Sequence, residues 1–151
     1  MKKQVLKAAT MFVGIIALAF ASAIAASAQN QRTLMVNIPF EFTVKGKTLP
    51  AGDYIVSRAA TAASDALTIK RRDNEASGIV LTIPVQADRI ENRSRLIFNR
   101  YGERYFLSQV WTAGDQLGQQ LHKTRQERSL ELELARNNEK PEMIVLVASA
   151  R

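Results

Sequence analysis

Between Thr33 and Lys45 the chain alternates almost without interruption: Leu34, Val36, Ile38, Phe40, Phe42 and Val44 are apolar, while Thr33, Asn37, Glu41, Thr43 and Lys45 are polar. A helix cannot gather such residues on one side, because its side chains repeat every 3.6 positions, whereas a strand turns every second side chain to the same face. The spacing therefore predicts one long strand with a single buried face. Pro39 falls on the outward row, where its missing N–H predicts an edge position or a bulge.

Turn chemistry surrounds this strand and recurs along the chain. "KGK" at 45–47 breaks the alternation. Leu49-Pro50-Ala51-Gly52 then has Pro second and Gly fourth, the preference of a type I turn, and Tyr54 to Ser57 resumes as a strand. Asp53 and Tyr54 accordingly read as polar groups beside a tight turn. "SRAATAASDA", 57–66, reads as a loop, and 67–71 with 79–83 read as the arms of a hairpin around "RDNEASG". Pro84 is expected to end or bend the second arm, and "VQADRIENRSR", 85–95, to be a charged linker. A third hairpin joins 95–99 to 104–111 through Arg100-Tyr101-Gly102-Glu103, with glycine supplying the positive φ that such turns need.

In the second arm of that hairpin strict alternation puts Phe106 and Val110 on one face, and Tyr105, Leu107 and Trp111 on the other. Both faces are apolar, which predicts a central or covered strand. "TAGDQLGQ", 112–119, reads as a turn and Leu121 as part of a short strand. "TRQERSLELELARN", 124–137, holds helix formers, a candidate N-cap in Thr124, and Leu130 and Leu134 four apart. Its "SLELEL" also alternates with period two, leaving strand open as the second reading of 129–135. "MIVLVA", 143–148, predicts a buried closing strand. The expected fold is mainly β: an antiparallel β-sandwich or small barrel built of hairpins, with one C-terminal helix before a final strand.

The first residues carry a different signal. Lys2, Lys3 and Lys7 precede an apolar run from about Ala8 to Ala26, and Ala26-Ser27-Ala28 presents the small residues that a signal peptidase reads. Residues 1–28 are expected to be a cleaved secretory signal peptide and residues 29–151 a single β-rich domain. A retained membrane anchor fits less well, since Ala and Ser dilute the run and no basic cluster follows it. The mature chain is expected to be soluble and exported, periplasmic or extracellular. Without the three leader lysines the 21 basic residues become 18 against 14 acidic ones, a net charge of +4. This is too mild a charge to point to nucleic acid. The chain has no cysteine, so neither disulfides nor thiol chemistry contribute.

The stretches "IPFEFTVKGKTLPAGDYIVSR", "IVLTIPVQADRI", "LIFNRYGERYFLSQVWTAG" and "MIVLVAS" together resemble a group of small, signal-peptide-bearing bacterial secreted proteins of uncharacterised role. The likeness spans nearly all of the mature chain. It implies secretion and a shared fold, and brings no functional residues with it.

Catalytic chemistry finds little footing in these residues. His122 is the sole histidine, which excludes sites with two histidine ligands, and a structural zinc site would have to rest on carboxylates. A Ser-His-Asp arrangement would need His122, yet nothing resembles Gly-x-Ser-x-Gly. Glu131 and Glu133 are the nearest carboxylate pair, but residues two apart on a helix diverge. "DNE" at 73–75 is too short for a calcium loop. No enzyme, cofactor or metal is expected. Arginine is the more suggestive feature: Arg93, Arg95, Arg100 and Arg104, with Tyr101 and Tyr105 interleaved, could form a shallow anion-binding surface. Solvated arginines paired with Asp88, Glu91 and Glu103 are the plainer reading. Two roles follow as expectations. One is an envelope-associated binding or structural module facing anionic glycan, lipid headgroups or another envelope protein. The other is a small barrel that binds an apolar ligand or lipid in its interior.

Overall fold

The computed structural model describes residues 32–59, 65–73 and 77–150. The leader read over 1–28 and the middle of the loop read over 57–66 lie outside these. Among the described residues, eleven strands and one helix follow in order: β1 (Leu34–Ile38), β2 (Phe42–Val44), β3 (Lys47–Leu49), β4 (Gly52–Arg58), β5 (Ala66–Arg71), β6 (Ser77–Gln86), β7 (Arg95–Tyr101), β8 (Arg104–Trp111), β9 (Leu117–Leu121), α1 (Arg125–Arg136), β10 (Glu142–Val147) and β11 (Ser149–Ala150).

Strand neighbours run β10-β7-β8-β9-β6-β5-β4-β1-β11. Only Ala148 separates β10 from β11, so a single stretch of chain leaves β7 and reaches β1, where Leu34 faces Ala150 and Met35 faces Ser149. The ring therefore closes as an eight-stranded antiparallel barrel, with the helix before its last strand. Of the two expected architectures, the barrel is the one formed. Helix also prevails over strand across 129–135: Thr124 caps it by accepting the Glu127 N–H at 3.2 Å.

The interior is packed with side chains. Leu34, Val36 and Ile38 of β1 meet Tyr54 and Val56 of β4, Leu96 and Phe98 of β7, and Leu107 and Val110 of β8 in one cluster. Phe98 is wholly buried and packs edge-on against Phe42 at 5.5 Å and Phe40 at 5.3 Å. Phe42 belongs to the β2–β3 hairpin, which stands off the ring and inserts Phe42, Val44 and Leu49 into the same core. Its turn holds Lys45 and Gly46 at φ 51° and 80°, the paired positive values of a type I′ loop.

Four expectations need correction. The strand predicted over 34–44 is two: Pro39 ends β1, and β2 departs to run parallel to β8, with Phe42 facing Tyr105. The stop expected at Pro84 does not occur, and β6 continues to Gln86. Beyond Leu81 that strand no longer pairs with β5, so a missing N–H is tolerated there as on an edge. The face assignment along β8 fails after Leu107. The register passes from Phe98↔Leu107 to Ile97↔Gln109, leaving Ser108 as an extra residue. One bulged residue reverses the parity that follows. Val110 consequently joins Leu107 in the interior, and Trp111 joins Phe106 on the outer face. Finally, β10 closes the barrel without being buried: Met143, Val145 and Val147 point outward and are exposed, and the inward Ile144 and Leu146 are only half-buried.

Candidate functional site

The outer face of β7 and β8 carries Ile97, Tyr101, Phe106 and Trp111, all buried although they turn away from the core. Trp111 lies beneath the Gly118 backbone, and its indole N–H donates to Gln109 at 2.9 Å. Tyr101 and Phe106 pack edge-on at 5.6 Å near α1. Glu127 is the tie between helix and barrel: its Oε1 accepts from Asn99 Nδ2 at 3.1 Å and from the Tyr101 hydroxyl at 3.4 Å. Thr124 and Glu127 have the spacing of a capping box, in which the glutamate would turn back to the N-cap residue. Here its carboxylate reaches sideways to the barrel wall.

Beside this tie is an outward-opening crevice of about 240 Å³. Val80 and Leu81 of β6, Phe106 and Leu107 of β8 and Leu121 of β9 form its apolar part. Thr43, Lys45, His122, Lys123, Thr124 and Glu127 supply the polar groups. The connection from β9 into α1 brings three consecutive polar residues, His122, Lys123 and Thr124, to one rim. Lys123 is held by Glu131 at 2.6 Å, whereas His122 is exposed. Burial pushes the Glu127 carboxyl above its ordinary range, opposed by the Asn99 hydrogen bond, by the Lys123 charge and by the Tyr101 hydrogen bond. The Tyr101 hydroxyl is raised in turn, first by burial and then by the charges of Glu127 and Glu131.

The six arginines and tyrosines singled out from the sequence do not share one surface. Arg95 and Arg100 lie at opposite ends of β7, about 16 Å apart at ~3.3 Å per residue, and on opposite faces. Arg95 pairs with Glu91 at 2.6 Å and lies over Trp111 at 5.7 Å. Arg100 pairs with Glu142 at 3.2 Å and Glu103 at 3.4 Å, and lies over Tyr105 at 5.5 Å. Arg93 and Arg104 are exposed. The rings expected beside these guanidinium groups as stacking platforms are otherwise engaged: Tyr101 is buried under α1, and Tyr105 stacks on Phe40 at 3.9 Å. Glu91 and Glu103 do pair with arginines, joined by Glu142 from β10.

Sequence reasoning picked out His122 and Thr124 but missed Glu127, Asn99 and Leu81. The Thr-x-x-Glu spacing at 124–127 was the available signal for Glu127. Nothing local could have linked Asn99 to it, because the two meet through a helix folded back on the sheet. Protein-family models, curated proteins and solved structures, when compared with this chain, yield no match.

Proposed function

We propose that this chain is an exported, non-enzymatic β-barrel that serves at the cell envelope as a binding module and works through its outer surface. The observation that carries the reading is the filled interior: an apolar guest inside the barrel would have to displace Phe42, Tyr54 and Phe98, each almost wholly buried. The crevice beside α1 opens outward instead. Export is supported by the basic, apolar and small-residue order of residues 1–28. The non-enzymatic reading is supported by composition: His122 is the sole histidine and the sequence has no cysteine, so the common nucleophile–base pairs have few residues to draw on.

The test combines fractionation of an expressing bacterium with co-sedimentation of the purified protein. Isolated cell-wall glycan and vesicles of anionic lipid serve as bait, at low and at physiological salt. The protein is expected outside the cytoplasm, shortened at its N-terminus, and sedimenting with one bait at physiological salt. Retention in the cytoplasm, or binding that vanishes with salt on both baits, overturns the reading. A variant with Arg93, Arg95, Arg100 and Arg104 changed to Ser measures how much of that binding the arginines carry.

A further inference from the structure

Strand β6 changes neighbours half-way. Ser77 to Leu81 pair with β5 and Thr82 to Gln86 pair with β9, so each half of the strand has one side without a ladder among the described residues. The Thr82 N–H donates to the Asp65 carbonyl on the β5 side at 2.8 Å, which sets the parity of the rest. Even-numbered residues turn their backbone groups toward β5, and Ile79 and Leu81 turn theirs the other way. The two open sides differ. On the β5 side Pro84 presents no N–H, a device that discourages strand pairing. On the other side Ser77-Gly78-Ile79-Val80-Leu81 holds no proline and no charge, and Ile79 and Leu81 are each 56% exposed.

We infer that this edge of β6 accepts an extended acidic segment of another polypeptide as an added strand, its backbone bonding Ile79 and Leu81, its apolar side chains lying beside theirs, and its carboxylates meeting Lys45 and Lys47. The inference goes beyond the function proposed above, because it assigns a protein partner to one edge of the barrel, independently of glycan or lipid. At about 3.3 Å per residue, 77–81 offers roughly 17 Å of edge, the length of an ordinary strand. The facing wall is the β2–β3 hairpin. Its Lys45, Lys47 and Leu49 line a crevice of about 130 Å³ with Gly78 and Ile79, and Lys45 also lines the crevice of about 240 Å³ beside Leu81. Together the two crevices follow the open edge from Gly78 to Leu81. Charge selects the occupant. Lys45 and Lys47 are exposed and have no ion pair among the described residues. The carboxylates nearby are engaged: Glu131 holds Lys123, and Glu127 is buried against Asn99 and Tyr101. A second copy of the chain would bring another pair of lysines to the same slot, whereas an acidic strand complements them.

Amide hydrogen exchange followed by ¹⁵N NMR tests this on the full chain as an exporting host delivers it. The probe is the peptide Glu-Val-Glu-Val-Glu-Val-Glu, with Lys-Val-Lys-Val-Lys-Val-Lys as its charge-reversed counterpart. The acidic peptide is expected to bind with a Kd of order 100 µM and to slow exchange at Ile79 and Leu81 roughly tenfold, leaving Val80, already bonded to β5, as it was. The basic peptide is expected not to bind. Lys45→Asn combined with Lys47→Gln, which places a residue tolerant of positive φ at the turn, should weaken the acidic peptide roughly fivefold. Ile79→Pro removes an N–H that no strand uses, as Pro84 does further along, and should abolish binding with the fold retained. Should that variant melt early, the lysine variant and the exchange pattern still decide. Equal binding of both peptides, unchanged exchange at Ile79 and Leu81, or full binding by Ile79→Pro overturns the inference. So does a dimer of the chain that Ile79→Pro dissociates in sedimentation, since it would assign the edge to a second copy. None of these readouts depends on glycan or lipid, so this inference and the function proposed above fail separately.

Discussion

Replacing Gly118 by alanine places a methyl carbon 2.7 Å from two ring atoms of Trp111 and 2.8 Å from a third, where ordinary contact begins at 3.4 Å. Neither partner has an easy retreat. The indole is 5% exposed, tied to Gln109 through its N–H and covered by the Arg95 guanidinium. Gly118 itself faces Val85 across the β6–β9 ladder, and its neighbour Gln119 faces both Pro84 and Val110. Overpacking of this kind costs about 1–3 kcal/mol, while loss of glycine's freedom in the unfolded chain returns ~0.4–1 kcal/mol. The net is a destabilisation of about 1–2 kcal/mol, or a fall in Tm of roughly 4–8 °C for a domain of this size. Calorimetry measures it. Because Trp111 is the chain's one tryptophan, intrinsic fluorescence reports the displaced ring directly, as a shift of emission to longer wavelength. Gly78→Ala is the control, since a Cβ there meets nothing within 4 Å, and it should stay within about 0.5 kcal/mol of the parent. A Gly118→Ala protein melting within about 1 °C of the parent, with unchanged emission, would refute the claim that this glycine exists to seat the indole.

Other outcomes follow from the same geometry. Burial raises the Glu127 carboxyl above its ordinary value of 4.5, so the folded chain holds a proton that the unfolded chain has released. Stability should therefore fall as pH rises from about 4.5 through the folded pKa, and urea unfolding across that window should show the slope flattened in Glu127→Gln. Phe98→Ala empties the point where Phe40 and Phe42 converge and should cost about 3–5 kcal/mol, read as a lower denaturation midpoint. Gly46→Ala meets no atom within 4 Å yet keeps φ at 80°, so its cost of about 1 kcal/mol in the same unfolding assay is conformational alone. Thr124→Ala removes the acceptor for the Glu127 N–H and should lower helix content and stability by ~1 kcal/mol, seen in far-UV circular dichroism and thermal melts.

Legibility in the sequence tracked how local each determinant is. The hairpins at 66–86 and 95–111 and the strand starting at Leu34 were visible because alternation and turn residues act within a few positions. The helix was visible through Thr124 and the spacing of Leu130 and Leu134. The Lys45-Gly46 turn carried a usable signal, a two-residue loop ending in glycine between strands. Ser108 was not legible, since nothing in "FLSQV" marks a bulge until β7 sets the register beside it. The arginine cluster misled for a related reason. Nearness along a hairpin does not give a common face, and Glu142, the partner of Arg100, arrives from more than forty residues away.

Period-two patterning and turn chemistry were enough to point to an antiparallel, hairpin-built β protein, and helix formers behind Thr124 to a late helix with strand left open over 129–135, because backbone conformation responds to each residue and its near neighbours. Closure of the sheet depended on something else. Residues 142–150 had to meet β7 and β1 at once, and that required the whole ring of strands to be in place. The crevice arose in the same way. Asn99, Tyr101 and Glu127 come from a strand and a helix that contact only after the helix packs down, and it is that packing which buries the carboxylate and raises its affinity for a proton. Burial is a property of the assembled layers, and no stretch of chain carries it alone.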